Sequence, residues 1–373
     1  MLHTLVVRDF RNLAALDLTV DAAGVAIVGD NGYGKTNLLE AVAYLRLLRS
    51  WRGARDADVV RFGAAGFHVR ATLQSPARVH TAALGFERAT RRKRALLDGV
   101  EQSRLSDALG ALPSVCFSPA DVALVAGGPG ERRRFLDVAL ALTNEAYLHA
   151  LQVYRGALAR RNAALRELQR QPRGVHDATA RVAVWEPALA EHGATLVQAR
   201  RAWVREHAEP FGALCAAIGE ANSVSLRYQG PAEQVTSDDL GAMRDALLTA
   251  FEAQRATELR RGVTLVGPHR DELQLLLGGR ELRTFGSAGQ QRTAAIALRM
   301  RECATVRAFL GAPPLLLLDD PFAELDLKRA QAILSLLDAE GIGQVLLAVP
   351  RAEDIPAAFT RLPRRTMRDG VLS

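Results

Sequence analysis

One short segment, Gly29-Asp30-Asn31-Gly32-Tyr33-Gly34-Lys35-Thr36, narrows what this chain can fold into more than any other. It follows the apolar run Val25-Ala26-Ile27-Val28 and leads into Leu38-Leu39-Glu40-Ala41-Val42, which has the texture of a helix. Strand, glycine-rich loop and helix in that order form a phosphate cradle. The glycines let backbone N–H groups turn inward around phosphate oxygens, and the helix N-terminus adds partial positive charge. In such a loop Lys35 bridges the outer phosphates and the Thr36 hydroxyl ligates Mg²⁺. The expected setting is an α/β fold, whose ligands sit beyond the carboxyl ends of the strands.

Two later segments complete this reading. The apolar run 315–318 ends at Asp319-Asp320. A buried strand that delivers two acids to its carboxyl end suits metal-assisted hydrolysis: Asp319 to hold hydrated Mg²⁺, Asp320 to polarise the attacking water. Neighbouring residues of an extended chain point to opposite sides, so the two acids can differ in role. Upstream, Phe285-Gly286-Ser287-Ala288-Gly289-Gln290-Gln291-Arg292 opens an alanine-rich helix. A hydroxyl and free N–H groups at a helix start make an anion site. Ser287, Ala288, Gly289 and Gln290 therefore read as a half-site that presses on the γ-phosphate of ATP held by a second copy of the chain.

Between these parts the texture changes. Strands are expected at 2–7, 16–20, 67–73, 79–86, 94–97, 113–117, 263–266, 273–277 and 281–282, with a turn at Asp98-Gly99. From Glu131 to Arg170 there is no proline and no strand signal, and Leu151, Leu158 and Leu165 recur at heptad spacing. After Pro172-Arg173-Gly174 a second heptad run carries Val182, Leu189, Leu196 and Trp203. Two such runs predict an antiparallel helical hairpin with arms of roughly 35–50 Å, and Pro187 should kink or restart the second arm. The predicted division is a first head segment at 1–118, a helical insertion at 119–262 and a second head segment at 263–373.

The chain has 373 residues and a formal charge of +7, nearly all of it from arginine, since lysine occurs only at positions 35, 93 and 328. A basic balance favours an anionic partner. Arg91, Arg92, Arg132, Arg133, Arg160 and Arg161 are the candidate contacts to DNA phosphates, with a solvated face as the alternative reading. No aromatics interleave with them, which points to tracking of a duplex backbone rather than base stacking. Cysteines at 116, 215 and 303 give neither a disulfide framework nor a zinc-ligand spacing, and fit the cytosol. No apolar run approaches the ~20 residues of a membrane span, and the N-terminal residues lack the pattern of a secretory signal.

The cradle, the Ser287 segment and the acidic strand together resemble an ABC-type ATPase head of the kind found in DNA-repair and chromosome proteins. Ala323-Glu324-Leu325-Asp326 is similar to that family's D-loop, with Glu324 and Asp326 as its acids. Asp9-Phe10-Arg11-Asn12, Phe117-Ser118-Pro119-Ala120-Asp121, Arg132-Arg133-Arg134-Phe135-Leu136-Asp137, Trp185-Glu186 and Gly267-Pro268-His269-Arg270-Asp271 narrow the resemblance to the RecF family. It implies an α/β fold: an ABC-type P-loop ATPase head split by an α-helical insertion domain. It also implies that Arg11 and Asn37 join Gly29 to Thr36 at bound ATP, and that Mg²⁺ is required. By the same resemblance the protein dimerises with ATP on duplex or gapped DNA in the cytoplasm and works with RecR and RecO to load RecA. Three departures stand out. The acidic strand ends in Asp-Asp rather than Asp-Glu, no Mg²⁺-sensing glutamine is identifiable, and Leu346-Leu347-Ala348-Val349 runs into Pro350 where a histidine is expected. The last two imply slow hydrolysis. The alternatives are a transporter's ATPase subunit and an ATP-binding clamp that does not turn ATP over. His269 has no assigned role.

Overall fold

A computed structural model describes residues 1–74, 79–170, 178–230, 235, 237–323, 325–341 and 343–373. The turn expected at Pro172-Arg173-Gly174 and the D-loop residue Glu324 lie outside them. The chain opens with β1 Leu2–Phe10, β2 Leu13–Thr19 and β3 Gly24–Val28, then α1 Lys35–Leu47 and α2 Asp56–Val59. Next come β4 Gly66–Gln74, β5 Val79–Glu87, β6 Arg92–Leu97, β7 Val100–Glu101 and β8 Ser114–Phe117. Helices α3 Ala123–Ala126, α4 Pro129–Ala141, α5 Glu145–Arg170, α6 Ala178–Ala183 and α7 Glu186–Ile218 follow. Then β9 Val224–Gln229, α8 Leu240–Arg261, β10 Glu272–Leu277 and β11 Arg280–Glu281 lead to α9 Leu282–Phe285 and α10 Ala288–Leu310. The last elements are β12 Leu315–Asp319, α11 Leu327–Ala339, β13 Val345–Val349, β14 Arg364–Arg368 and β15 Val371–Leu372.

Contacts divide the chain into two compact units, Met1–Asp121 with Leu298–Ser373, and Val122–Ala297. In the first unit one sheet runs β2-β1-β4-β5-β6-β7 and a second runs β15-β14-β3-β13-β12-β8. The second sheet is parallel from β14 to β8. Its central strands are apolar apart from Asp319 at the end of β12, because both faces are covered, as parallel sheets require. Helix α1 packs on strands of both sheets. Its Tyr44 meets Phe10 and Phe67 edge-to-face at 5.4 and 5.3 Å, and Phe86 stacks on Phe67 at 5.9 Å. Asp98-Gly99 and Asp369-Gly370 both take positive φ at two successive residues, the hairpin-turn geometry that Asp-Gly favours.

The second unit is mainly helical and is larger than expected, running through Ala297 rather than stopping at 262. Residues 263–297 belong to it because β10 pairs antiparallel with β9 over six residues and Glu272 of β10 takes two hydrogen bonds from Arg132 of α4. Strand β9 was also unexpected in a stretch read as helical. The α5 and α7 arms pack together, burying Leu151, Tyr154, Leu165, Leu189, Leu196 and Trp203. Pro187 restarts the helix: α6 ends at Ala183 and α7 begins at Glu186, with the proline in the first turn where its missing N–H costs nothing.

The strand expected at 263–266 does not form. Side chains take the bonds that a ladder would use. Thr264 N–H donates to Asn162 (2.8 Å) and Leu265 N–H to Glu258 (2.6 Å). The Thr264 carbonyl accepts from His269 (3.2 Å) and Arg270 (3.0 Å). The Gly267–Asp271 segment is thereby the knot of this unit. Gly267 has φ +119, and a Cβ there would lie 2.4 Å from the Tyr154 hydroxyl. Arg200 donates to the Pro268 carbonyl and to Asp137, and Arg133 donates to the Asp271 carbonyl. Tyr228 donates to the Asp271 carboxylate.

His269 has a structural place in this knot. Since a carbonyl can only accept, Nε2 carries the proton to Thr264 and Nδ1 accepts from the Tyr154 hydroxyl at 2.7 Å. Burial pushes His269 down to about 4 and pushes Asp271 up to about 6. The signs oppose each other. A histidine held below its ordinary 6.5 stabilises the fold above that pH, and this contribution is lost as pH falls toward 4. An aspartate held above its ordinary 3.8 stabilises the fold below that pH, and this contribution is lost as pH rises through 6. Between pH 4 and 6 the two nearly cancel. Asp271→Asn removes one limb, so the variant's unfolding free energy should fall by about 3 kcal/mol from pH 6.5 to 4 relative to the parent, at 1.36 kcal/mol per pKa unit. Urea unfolding across that range measures it, and parallel curves for variant and parent would refute the opposition.

Candidate functional site

Strand register assembles the site. Val28 pairs with Val349, Ala348 with Asp319 and Leu318 with Phe117, so β3, β13, β12 and β8 end along one sheet edge. The residues that follow those ends line a cavity of about 370 Å³: Gly32, Lys35, Thr36, Asp319, Asp320 and, from the flanking loops, Pro119 and Pro350. The phosphate cradle and the acidic strand, remote in sequence, therefore share one chamber within the first unit.

Asn31, Gly32, Gly34, Lys35, Thr36 and Asn37 line the cavity. Gly29, Asp30 and Tyr33 form its frame instead. Lys35 Nζ donates to the carbonyls of Gly29 and Asp30, the latter at 3.0 Å. The Tyr33 carbonyl accepts from the Asn12 amide at 3.1 Å and from the Gly370 N–H at 2.9 Å. Asn12 also accepts from the Asn37 side chain at 2.8 Å, so it braces both ends of the loop. Gly34 supplies the left-handed turn into α1, with φ +110.

Thr36 Oγ1 donates to Asp319 Oδ1 at 2.9 Å. Burial raises the Asp319 carboxyl above its ordinary range, opposed by the Thr36 hydrogen bond and helped by Asp320. Burial likewise lowers Lys35, opposed by Asp319, Asp320 and Asp30. Asp320 departs from the extended geometry expected of it. Its φ is +46, a left-handed value that is costly for a residue with a Cβ. The backbone turn, rather than strand alternation, separates the two acids. The donors fit a divalent cation: Thr36 hydroxyl and Asp319 carboxylate are hard oxygens in contact. Mg²⁺ asks only one or two protein ligands when phosphates and water supply the rest. Among the described residues no cluster of three His, Cys, Asp or Glu side chains gathers elsewhere to hold a metal.

Arg11 is not where the reading put it. It donates to both oxygens of Glu40 at 3.0 Å and to the Asp58 carbonyl, and does not line the cavity. Glu40 is fully buried and also accepts from Ser50. The arginine at the cavity is Arg52, which donates to Asn37 at 3.1 Å and lies 3.6 Å from Glu40. No local pattern marks Arg52; its place depends on the chain folding back along α1 after Leu48, whose φ is +53. A buried ionic chain backs this wall: Arg46 to Glu302, Glu302 to Arg299 and Arg299 to Asp121, each at 2.6 Å.

The Ser287 segment lies in the second unit as the start of α10. Ser287 Oγ accepts from Gln290 N–H at 3.3 Å, and Gln290 Oε1 accepts from Ser287 N–H at 2.9 Å. This is a reciprocal capping box. Ser287 and Ala288 are exposed, while Gly289 and Gln290 are half-buried, with Gln290 also donating to Glu220. Asp326 caps α11 by accepting from Arg329 N–H at 2.9 Å and is exposed.

Two expected DNA contacts are corrected. Arg132 is buried against Glu272 and the carbonyls of Leu124, Val125 and Gly127. Arg161 is fully buried between Glu186 (2.8 Å) and Glu258 (2.7 Å). Both neutralise internal acids. Arg133 is half-buried and bound to a carbonyl, Arg160 lies over the Trp185 ring, and Arg92 faces Glu101 at 3.2 Å. Arg91 is exposed.

Gly34→Ala tests the cradle. A Cβ there would sit 2.7 Å from the Asn12 side chain and force a φ that only glycine takes readily. ATP affinity, read by fluorescent-nucleotide titration, should fall at least about tenfold, the effect of about 1.4 kcal/mol; unchanged affinity would place the nucleotide elsewhere.

No described helix is long and apolar enough to cross a membrane. The family described as RecF/RecN/SMC N terminal domain matches residues 1–367. A protein named DNA replication and repair protein RecF from Chloroflexus aurantiacus is 35% identical, over 97% of this chain and 96% of its own length. Its namesake from Anaeromyxobacter dehalogenans is 38% identical, over 100% and 98%. A solved structure of the recombination mediator protein RecF-ATP in the RecFOR pathway superimposes with a TM-score of 0.89 at 27% identity, covering 100% of this chain and 96% of that one. An Smc head domain from Pyrococcus furiosus, at 17% identity and a TM-score of 0.56, shares the fold. A phosphate cradle facing an acidic strand, on a chain similar to RecF proteins along its whole length, places this protein in the RecF family.

Proposed function

We propose that this chain is an ATP-operated DNA clamp of recombinational repair, in which two copies close on nucleotide and hydrolyse it slowly. The observation that carries the reading is the 2.9 Å contact between Thr36 and Asp319 beside Lys35 and Asp320 in one cavity. Those four side chains are what a triphosphate with its cation needs: an amine for the outer phosphates, a hydroxyl and carboxylate for the metal, and an acid for the water. Bound Mg²⁺ supplies neutralisation of phosphate charge there. Lys35, freed from the Gly29 and Asp30 carbonyls, turns to the phosphates. Asp320, held off the strand line by its positive φ, takes the proton of the attacking water. Pro119 and Pro350 occupy loop positions at the cavity, and neither can orient water, which supports slow turnover.

The capped start of α10 supports action in trans. Its exposed Ser287 hydroxyl and first-turn N–H groups offer an anion site to the nucleotide of a second copy. The relatives' names, and the RecFOR pathway of the solved RecF-ATP structure, support duplex or gapped DNA as the substrate and RecO and RecR as partners. In this reading the clamp marks gaps where RecA is loaded.

Light scattering on a sizing column tests the dimer. The parent should shift from monomer to dimer with MgATP, while Lys35→Ala and Ser287→Arg stay monomeric. A dimer that persists in either variant would remove the shared-nucleotide arrangement. Single-turnover hydrolysis separates a switch from a passive clamp. Asp320→Asn should slow it on the order of 100-fold, the low end for a general base, while the ATP-dependent dimer is retained. Equal rates in variant and parent would take the base role from Asp320.

A further inference from the structure

Whether an arginine cluster meets an outside anion depends on what already neutralises it. Most clusters in this chain are answered from within. Arg88 donates to the Ala57 carbonyl, Arg92 and Arg94 share Glu101, and Arg132 and Arg161 are buried on carboxylates. The stretch from Arg361 to Arg368 differs. Arg361, Arg364, Arg365 and Arg368 are all exposed, and among the described residues none of the four side chains has a hydrogen bond or ion pair. The one acid from position 361 onward is Asp369.

The frame beneath them is fixed. Strand β14 pairs with β3 through Arg364–Ala26, Arg365–Ile27 and Thr366–Val28, and with β15 through Met367–Leu372 and Arg368–Val371. Gly370, in the hairpin turn, donates to the Tyr33 carbonyl of the nucleotide loop, and a Cβ on Gly29 would lie 2.2 Å from the Met367 carbonyl. The Arg364 and Arg368 side chains leave one face of this strand, about 13 Å apart at 3.3 Å per residue, with the small exposed Thr366 between them. Arg365 leaves the other face. Arg364 and Arg368 thus present two guanidinium groups from one face of a fixed strand, and neither is paired with a carboxylate among the described residues. A duplex presents a phosphate charge about every 1.7 Å along its axis, so it can satisfy several such groups without matched spacing, and guanidinium binds phosphate in bidentate fashion. An acidic protein segment would need carboxylates at the same intervals.

We propose that the β14–β15 hairpin is a docking surface for the phosphate backbone of duplex DNA, held by Arg361, Arg364 and Arg368. The proposal rests on the reading of this chain as a DNA-binding protein, and it places the DNA beside the wall of the ATP cavity.

The test is anisotropy of a labelled duplex with the full chain and MgATP, repeated over a range of KCl concentrations. The triple variant Arg361→Ser, Arg364→Ser, Arg368→Ser is compared with the parent. These side chains have no partners to lose, and an unchanged melting temperature and ATP-dependent dimer confirm that fold and nucleotide site are intact. The expected result is at least about tenfold weaker binding at low salt. The slope of log affinity against log salt should be shallower by about 2–3, near 0.9 per lost phosphate contact. The single variant Arg368→Gln should shift the slope by about 1. Parent and triple variant with the same affinity and slope would overturn the proposal, leave DNA binding standing elsewhere, and reserve the hairpin for an acidic partner. A parent that binds no duplex at any salt would instead overturn the reading on which it rests.

Discussion

The contact on which the rest depends is a matter of strand register. Four parallel strands, β3, β13, β12 and β8, end level with one another, and only for that reason do Thr36 and Asp319 touch. A one-residue slip of β12 against β13 would flip its side chains to the opposite faces of the sheet. Asp319 would leave the cavity and a leucine would enter it. Every residue of β12 and β13 is enclosed and Asp319 is the one polar residue among them, so a slip would carry its carboxylate into an apolar layer at the cost of burying it there. The chemistry at the sheet edge is thus held by the apolar residues behind it.

The second unit is organised around a different constraint, the neutralisation of buried charge. Arg161 and Arg200 lie in its interior, each met by acids from helices or loops far along the chain. A buried ion pair is weak evidence for stability, since its desolvation cost offsets much of the attraction. What it imposes is a requirement for partners in one arrangement. Gly267–Asp271 satisfies that requirement by presenting carbonyls and a carboxylate in a short irregular segment. The motif that most narrowly indicated the family is therefore architectural rather than catalytic, and His269 sits in it as a neutral hydrogen-bonding wedge.

Local patterns were legible where chemistry is local. The cradle, the acidic strand, the capped serine, the Asp98-Gly99 turn and the helical arms all carry their signals within a few residues. Long-range neutralisation was not legible. Arg132 and Arg161 look like surface charge in sequence, yet their acids lie at 272, 186 and 258. The 263–266 run has strand composition, but side chains from Asn162, Glu258, His269 and Arg270 claim its backbone groups. Arg52 escaped notice for the same reason, because its place depends on a left-handed residue at Leu48 turning the chain back. Asp320 does line the cavity, but its separation from Asp319 comes from a backbone turn that composition does not announce.

Strand order has a consequence for how the protein comes into being. The neighbours of β3 on either side are β13 and β14, both far along the chain, and Gln344 hydrogen-bonds the backbone of Leu2 through both the oxygen and the nitrogen of its side-chain amide. During synthesis the strand that carries the cradle therefore has two open edges until residues 345–368 have left the ribosome. Open edges are templates for mispairing, and contacts this distant in sequence close slowly. The chamber is thus a late acquisition of the nascent chain, and truncated products would expose β3 without ever forming it.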